Sequence, residues 1–350
     1  RWVMTYDRIA DRRVVMESGN LRVLRYYSSP RSIHNVIVST EISRQYVGER
    51  LHHDLKELLP SSDSNTLQMI ANEIHSKAAS LSGGIVMRAA QGENSAKELL
   101  GVVAAQRQID LLIQRLGEQR TTWFFLDEFK SWLDLDGEIS DVLAVSLVHD
   151  GIRPRVLLTI VEAKFIGEAS LTSERAKSMR QLESTYDALS NRFVEGTEKH
   201  DAVYAGVWRG RLADMLLEHM PAFNELGGID PDAWLADIRA GRVNIDVTGH
   251  SIVFVHDRPN TDNGTPACND VGKVKPERRR IAQWVFGRDA IVRTFKEYVS
   301  SDPKALMYIP NEWPAFGDRA VGTHDAPVID EGEEPEGEAI EINPSSDGSE

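Results

Sequence analysis

A single cysteine, Cys268, stands in the 350-residue chain, so no disulfide can form within it. It lies in a polar stretch containing Pro and Asn, and no Cys/His cluster with zinc-ligand spacing accompanies it. No apolar run is long enough to cross a membrane as a helix, and the start carries no signal-peptide pattern. A Gly-rich phosphate-binding loop of the Walker A kind is also missing, which argues against ATP hydrolysis by this stretch alone. No internal repeat is evident. These absences lead us to expect a cytoplasmic chain with no membrane partner. Positive charge is short as well: 40 Lys and Arg face 54 Asp and Glu, a formal net charge of −14. That deficit is local. Residues 325–350 hold ten acids and no Lys or Arg, and without them the charge falls to about −4. With its Pro, Gly and Ser content, this end reads as an acidic disordered tail.

What is present concentrates in residues 141–164. Residues 141–148 (DVLAVSLV) read as a strand headed by an acid, and 156–161 (VLLTIV) as a buried, β-branched strand. Between them, residues 149–154 contain an Asp-Gly turn signal, so the two strands are expected to pair as a hairpin. The second strand runs into Glu162, Ala163 and Lys164. Residues two apart on a strand share a face, so Glu162 and Lys164 point the same way while Ala163 turns into the packing. Both acids lie far from the turn, and folding the hairpin brings Asp141 near Glu162 and Lys164. Two carboxylates and a lysine at one strand end can hold a divalent metal and position a water. The competing reading is an ordinary hairpin with a surface ion pair, which contributes little energetically.

This arrangement resembles the PD-(D/E)xK nuclease superfamily. Asp141 matches the family's first acid, and Glu162-Ala163-Lys164 its ExK element, 21 positions on (162 minus 141). The resemblance implies an α/β, restriction-endonuclease-like core, a mixed sheet flanked by helices. It further implies hydrolysis of DNA phosphodiester bonds with Mg²⁺, for which Mn²⁺ would substitute. Asp141, Glu162 and the Ala163 carbonyl would be the metal ligands, and Lys164 would act on the water and the phosphate. Two helix residues enter by the same resemblance. Glu98, one turn before Gly101 on a helix read over 94–116, is the candidate for a further acid donated by the first core helix. A merely solvated glutamate is the competing reading. Gln181, on a helix read over 172–193 with Thr172 or Ser173 as N-cap, resembles a glutamine found after ExK in several branches. Tyr186 misses the Q-x-x-x-Y spacing by one residue and reads as core. Arg175, Lys177 and Arg180 on this helix suit phosphate contacts, against a solvated face partly neutralised by Glu174 and Glu183.

Four regions are expected. Residues 1–60 carry β-like stretches at 2–6, 14–16, 21–27 and 34–40, then a helix ending near Leu59 and Pro60. Residues 61–260 form the nuclease-like core. In it 202–208 (AVYAGVW) is expected as a strand added to the sheet, 251–256 as another strand, and 230–239 as a helix opened by Asp230-Pro231. His250 and His256 flank the late strand and read as polar strand-end residues rather than as a catalytic base. Asp127 and Glu128 read as structural rather than as additional site acids. Residues 261–324 begin with a basic loop holding Lys273, Lys275, Arg278, Arg279 and Arg280, followed by a partly helical stretch over 281–298. Residues 325–350 are the acidic linker. Because the chain opens on Arg1 without a methionine, it reads as a piece of a longer polypeptide, with the acidic stretch as a tether.

Residues 123–129 (WFFLDEF), 140–143 (SDVL) and 161–165 (VEAKF) are similar to the nuclease region of DptH-type proteins. These serve phosphorothioation-dependent restriction and related bacterial antiphage defence. The resemblance spans about residues 80–320. It implies DNA as substrate, a HerA/FtsK-like ATPase domain or subunit as partner, other defence-system subunits, and a homo-oligomer in the full-length form. The rival reading is a catalytically inactive nuclease-fold module for DNA binding or assembly.

Overall fold

The computed structural model describes residues 2–7, 23–27, 35–40, 44–81, 85–86, 93–116, 118–130, 132–135, 137–149, 154–194, 202–220, 224–258 and 280–300. The expected strand at 14–16, the turn at 150–153, Cys268, the basic residues 273–279 and the acidic stretch 325–350 lie outside them. Strands β1 (Trp2–Asp7), β2 (Val23–Tyr27) and β3 (Asn35–Thr40) make an antiparallel sheet of order β1-β3-β2. Helices α1 (Arg44–Leu58), α2 (Ser64–Leu81) and α3 (Glu93–Ile113) follow.

The sheet that carries the acids has five strands in chain order: β4 (Glu118–Phe125), β5 (Val142–His149), β6 (Pro154–Ile166), β7 (Asn244–Val255) and β8 (Ile281–Phe286). β4, β5 and β6 run antiparallel, as short connections permit, whereas β6, β7 and β8 run parallel. A parallel neighbour requires a long crossover, and α5 (Leu171–Phe193), α6 (Ala202–His219) and α7 (Pro231–Arg239) supply it between β6 and β7. The short helix α4 (Leu126–Phe129) closes β4, and α8 (Arg288–Lys296) follows β8. The fold is therefore mixed α/β, a five-stranded mixed sheet flanked by helices.

Both faces of the sheet are covered, which explains why β5 and β6 read as continuous apolar runs rather than alternating ones. Leu143, Val145, Leu158 and Ile160 pack with Leu182 and Leu189 of α5, Leu212 of α6 and Trp234 of α7 in one core cluster. The other face of β6 carries Phe165, and α3 lies against it at Gly101. A Cβ built on Gly101 would stand 3.1 Å from the Phe165 Cβ and 3.6 Å from the Lys164 carbonyl carbon. A small residue lets this helix pack directly behind the ExK segment. Gly101→Val is expected to cost about 1–3 kcal/mol through overpacking, read as a lower urea midpoint. An unchanged midpoint would contradict this packing.

One expectation is corrected, and one, the partly helical stretch, is borne out with a strand added at its start. Residues 202–208 are not a strand but the start of α6. Their seven residues look β-like alone, yet Ala205, Leu212, Ala213, Met215 and Leu216 are buried while Tyr204 and Val207 are exposed. That is helical periodicity, legible only when the window runs on to His219. The stretch 281–298 begins with a strand, β8, before turning helical, because its first six residues are buried on both faces and pair with β7. The helices expected at 94–116, 172–193 and 230–239 are present. Asp230 caps α7 by accepting a hydrogen bond from Ala233 N at 2.8 Å, with Pro231 in the first turn.

Candidate functional site

The site begins where β5 stops and β6 continues. The last β5–β6 pair is Val142 with Val161, so β6 extends five residues further, through Ile166. There Asp141 takes over from the ladder. Its Oδ2 accepts a hydrogen bond from Ala163 N at 2.9 Å, and its backbone carbonyl accepts one from Leu126 N at 2.9 Å. A strand residue exchanges both its N–H and its C=O with one neighbour, so both lie on one side of the strand. The Ala163 carbonyl thus faces the same side as its N–H, beyond the end of β5.

Glu162 shares a face with Ile160 and is fully buried. Lys164 Nζ lies 2.8 Å from Glu162 Oε1 as an ion pair, and donates a hydrogen bond to Gln181 Oε1 at 3.2 Å. Neither Glu162 oxygen is held in good hydrogen-bond geometry, and Oε2 has no such partner among the described residues. Burial raises the Glu162 pKa well above the ordinary carboxyl range, and the Asp141 charge adds to this. The Lys164 charge and the Asp141 backbone N–H oppose it without prevailing. For Lys164, burial favours the neutral amine, but the charges of Glu162, Asp141 and Glu174 outweigh it, and its pKa is raised. The lysine keeps its proton, and the buried glutamate carries the electrostatic cost.

Helix α5 supports these residues from above. Gln181 Nε2 donates to the Ile139 carbonyl at 3.3 Å, and Thr185 Oγ1 accepts from Ser140 N at 2.9 Å. Further along, Ser251 of β7 pairs with Glu162, and Gln283 of β8 pairs with Ser251, so the three form one polar row across the sheet. Ser178 and Ser251 hydroxyls are 2.6 Å apart, and Gln283 Nε2 donates to Ser251 Oγ at 2.9 Å. Arg175 Nε donates to Gln283 Oε1 at 2.6 Å. Sequence reading missed Ser178, Thr185, Ser251 and Gln283. The available signal was a serine and a glutamine breaking otherwise apolar strands.

Asp141, Glu162, Ala163, Lys164 and Gln181 are therefore brought together. Glu98 stands on a different element. It is half-buried on α3, whose contact with β6 at Phe165 is on the face opposite Glu162. Among the described residues no group of three or more His, Cys, Asp or Glu could hold a metal ion. Asp127 is exposed and Glu128 half-buried on α4. Arg175 is committed to Gln283, whereas Arg180 is exposed. Tyr186 is core, as expected, and its hydroxyl accepts from Arg280 N at 3.2 Å. His250 pairs with Val161, so it faces away from Glu162, and burial lowers its pKa to about 3. It stays neutral and is no base for this site. His256 stacks on Phe165 with ring centroids 5.6 Å apart.

The donor set fits a hard divalent cation in part. Two carboxylates and a carbonyl oxygen are the oxygen ligands such an ion takes, and Mg²⁺ completes its shell with water or substrate oxygens. The fully buried Glu162 carboxylate, neither of whose oxygens has a partner in good hydrogen-bond geometry, is the observation behind that fit. A cavity lined by Asp110, Gln114, Arg120 and Thr121 lies elsewhere, where β4 pairs with the far end of β5 at Ser146. No helix of the described residues is long and apolar enough to cross a membrane. Compared with known proteins, the chain matches no family model, no curated protein and no solved structure.

Proposed function

We propose that the chain is a metal-dependent DNA endonuclease of the PD-(D/E)xK, restriction-endonuclease-like kind. We propose further that it is the nuclease part of a larger, ATPase-coupled bacterial defence protein acting in the cytoplasm. One observation carries the first reading: a fully buried glutamate, with no partner in good hydrogen-bond geometry, stands beside a second acid and an ion-paired lysine where β6 runs on past the end of β5. Such a cluster is costly to bury without a task, and strongly shifted groups of this kind gather at functional sites.

Asp141, Glu162 and the Ala163 carbonyl would hold Mg²⁺ or Mn²⁺. When bound, the ion supplies Lewis acidity to the phosphate and lowers the pKa of a water. Lys164, held by Glu162 and Gln181, would orient the attacking water and stabilise negative charge developing on the phosphate oxygens. Exposed Arg180 offers a backbone contact without sequence preference. The link to a HerA/FtsK-like ATPase rests on the resemblance alone, and it leads us to expect weak cleavage by this chain unless the motor is present.

A second reading is an inactive module that keeps the fold for DNA binding or assembly. The observation favouring it is that no third acid joins the pair among the described residues. Calorimetric titration separates the two. Wild-type protein should bind Mn²⁺ with an affinity that weakens as the carboxylates protonate, and Asp141→Ala/Glu162→Ala should bind none at this site. Equal titration curves for the two proteins would reject the nuclease site. DNA binding in EDTA that persists in the double variant would then favour the module.

A further inference from the structure

Asp141 sits in an irregular segment, outside the β5 ladder, yet its carboxylate must be held within a few tenths of an ångström to meet Ala163 N. The backbone before it explains how. Ile139 O and Ser140 N belong to one peptide group, which is planar and stiff. Gln181 Nε2 donates to its carbonyl end at 3.3 Å, and Thr185 Oγ1 accepts from its N–H end at 2.9 Å. Gln181 and Thr185 are four apart on α5, so they stand one above the other on one helix face. In a trans peptide the C=O and N–H point in opposite directions, and here the peptide bridges one helical turn from Gln181 to Thr185. Its orientation is therefore fixed at both ends, one residue before Asp141. The hydroxyl of Thr185 also donates to the Gln181 carbonyl at 3.0 Å, which fixes its rotamer and leaves its lone pair for Ser140. Thr185 and Ser140 are each 1% exposed, so water cannot substitute for either.

We infer that Thr185 is a positioning residue: together with Gln181 it clamps the Ile139–Ser140 peptide and thereby sets the Asp141 carboxylate against Ala163 N–H and beside Glu162. Its consequence for metal binding rests on the nuclease reading, but the geometric role does not. Gln181 has two duties, since its Oε1 also accepts from Lys164, whereas Thr185 touches neither acid nor lysine. Thr185 is thus the cleaner probe. Thr185→Val keeps shape and removes the hydroxyl. Thr185→Ser keeps the hydroxyl and removes a methyl group.

The test is amide hydrogen exchange by NMR, with Mn²⁺ titration of the same proteins. In Thr185→Val the Ser140 and Ala163 amides should exchange at least about tenfold faster, while β6–β7 ladder amides such as Val253 keep their protection. Thr185→Ser should restore both amides. Mn²⁺ affinity should fall by about 10–100-fold in Thr185→Val, the range for residues that orient metal ligands. In an Asp141→Ala background the same change should have no further effect on Ala163 exchange or on the Mn²⁺ titration, because Thr185 would reach both only through Asp141. If Thr185→Val does not fold, Thr185→Ala is measured against Thr185→Ser on the same amides. Unchanged Ala163 exchange in a folded variant overturns the positioning role, whatever the metal titration shows. Exchange that follows the hydroxyl, in a wild type that titrates no Mn²⁺, supports the clamp and rejects the nuclease reading instead.

Discussion

On the proposed nuclease reading, Glu162→Gln is expected to abolish DNA cleavage and at the same time to raise the melting temperature at neutral pH. The expected loss in Mn²⁺-supported nicking is about 10²–10³-fold or more, the scale for deleting one group that stabilises charge at a reacting centre. The amide keeps the shape of the side chain but cannot serve as an anionic ligand. The stability gain follows from the burial of Glu162 and from the sign of its pKa shift, which burial and Asp141 drive upward. A carboxyl whose folded pKa lies above its unfolded value favours the native state when protonated. Its contribution is fully present below the ordinary value of 4.5 and is lost as pH rises through the folded value. Neutral pH lies above the ordinary value, so wild-type protein has lost part of that contribution there. Glutamine removes the charge and the cost of burying it, so the expected change is a gain, set against the loss of the ion pair with Lys164. Lys164 retains Gln181 and the charges of Asp141 and Glu174. The two readouts are thermal melts at pH 7 and plasmid nicking. Full nicking by a well-folded Glu162→Gln protein would reject the site. Lower melting temperature would mean that the ion pair with Lys164 outweighs burial. The same reasoning extends to Asp141→Ala and Lys164→Ala for cleavage.

The hairpin was legible because its signals are local. A β-branched run, an Asp-Gly turn and the two-residue strand period together place Asp141, Glu162 and Lys164 at one end, and the observed β5–β6 register puts Ala163 N on Asp141. Helix α7 was legible for a similar reason, since Asp230-Pro231 is a start signal whatever surrounds it. What escaped was long-range. Ser251 pairs with Glu162, and Gln283 with Ser251, only because β7 and β8 add in parallel to β6, the first pairing across 89 positions (251 minus 162) that periodicity does not encode. Thr185 escaped because attention to a Q-x-x-x-Y pattern led to Tyr186, while the residue four after Gln181 is the one that reaches Ser140. The start of α6 was misread because seven residues are too few to separate the two periods. Glu98 illustrates a different limit. Proximity to Gly101 correctly indicated a helix packed against the ExK strand, but Phe165 and Glu162 alternate across that strand, so the contact is on the other face.

Lys164→Met is expected to be the most destabilising of the site changes, and only at neutral and alkaline pH. Lys164 is 18% exposed and lies 2.8 Å from a glutamate that is wholly buried. Removing it leaves Glu162 and Asp141 facing each other without their common countercharge. Breaking a buried pair from one side costs about 3–5 kcal/mol, and methionine preserves most of the apolar stem, so the loss is electrostatic rather than packing. The pH dependence distinguishes the two. Lys164 has a raised folded pKa, so its contribution is complete below the ordinary value of 10.5 and is lost only as pH rises through the folded value. At pH 7 wild type therefore has all of it. In the variant the folded pKa of Glu162 rises further, because the lysine was its largest opposing charge. As pH falls through that value the glutamate takes up a proton, its burial ceases to be costly, and the variant recovers toward wild type. Urea midpoints compared from acid to alkaline pH should thus converge toward the acid end and separate toward the alkaline end. A saturating divalent cation should narrow the gap at pH 7 as well, since a ligand at 100 times its dissociation constant stabilises the native state by about 2.7 kcal/mol. A deficit that is equal at every pH would show that Lys164 contributes by packing alone, and the charge balance drawn for Glu162 would then be wrong.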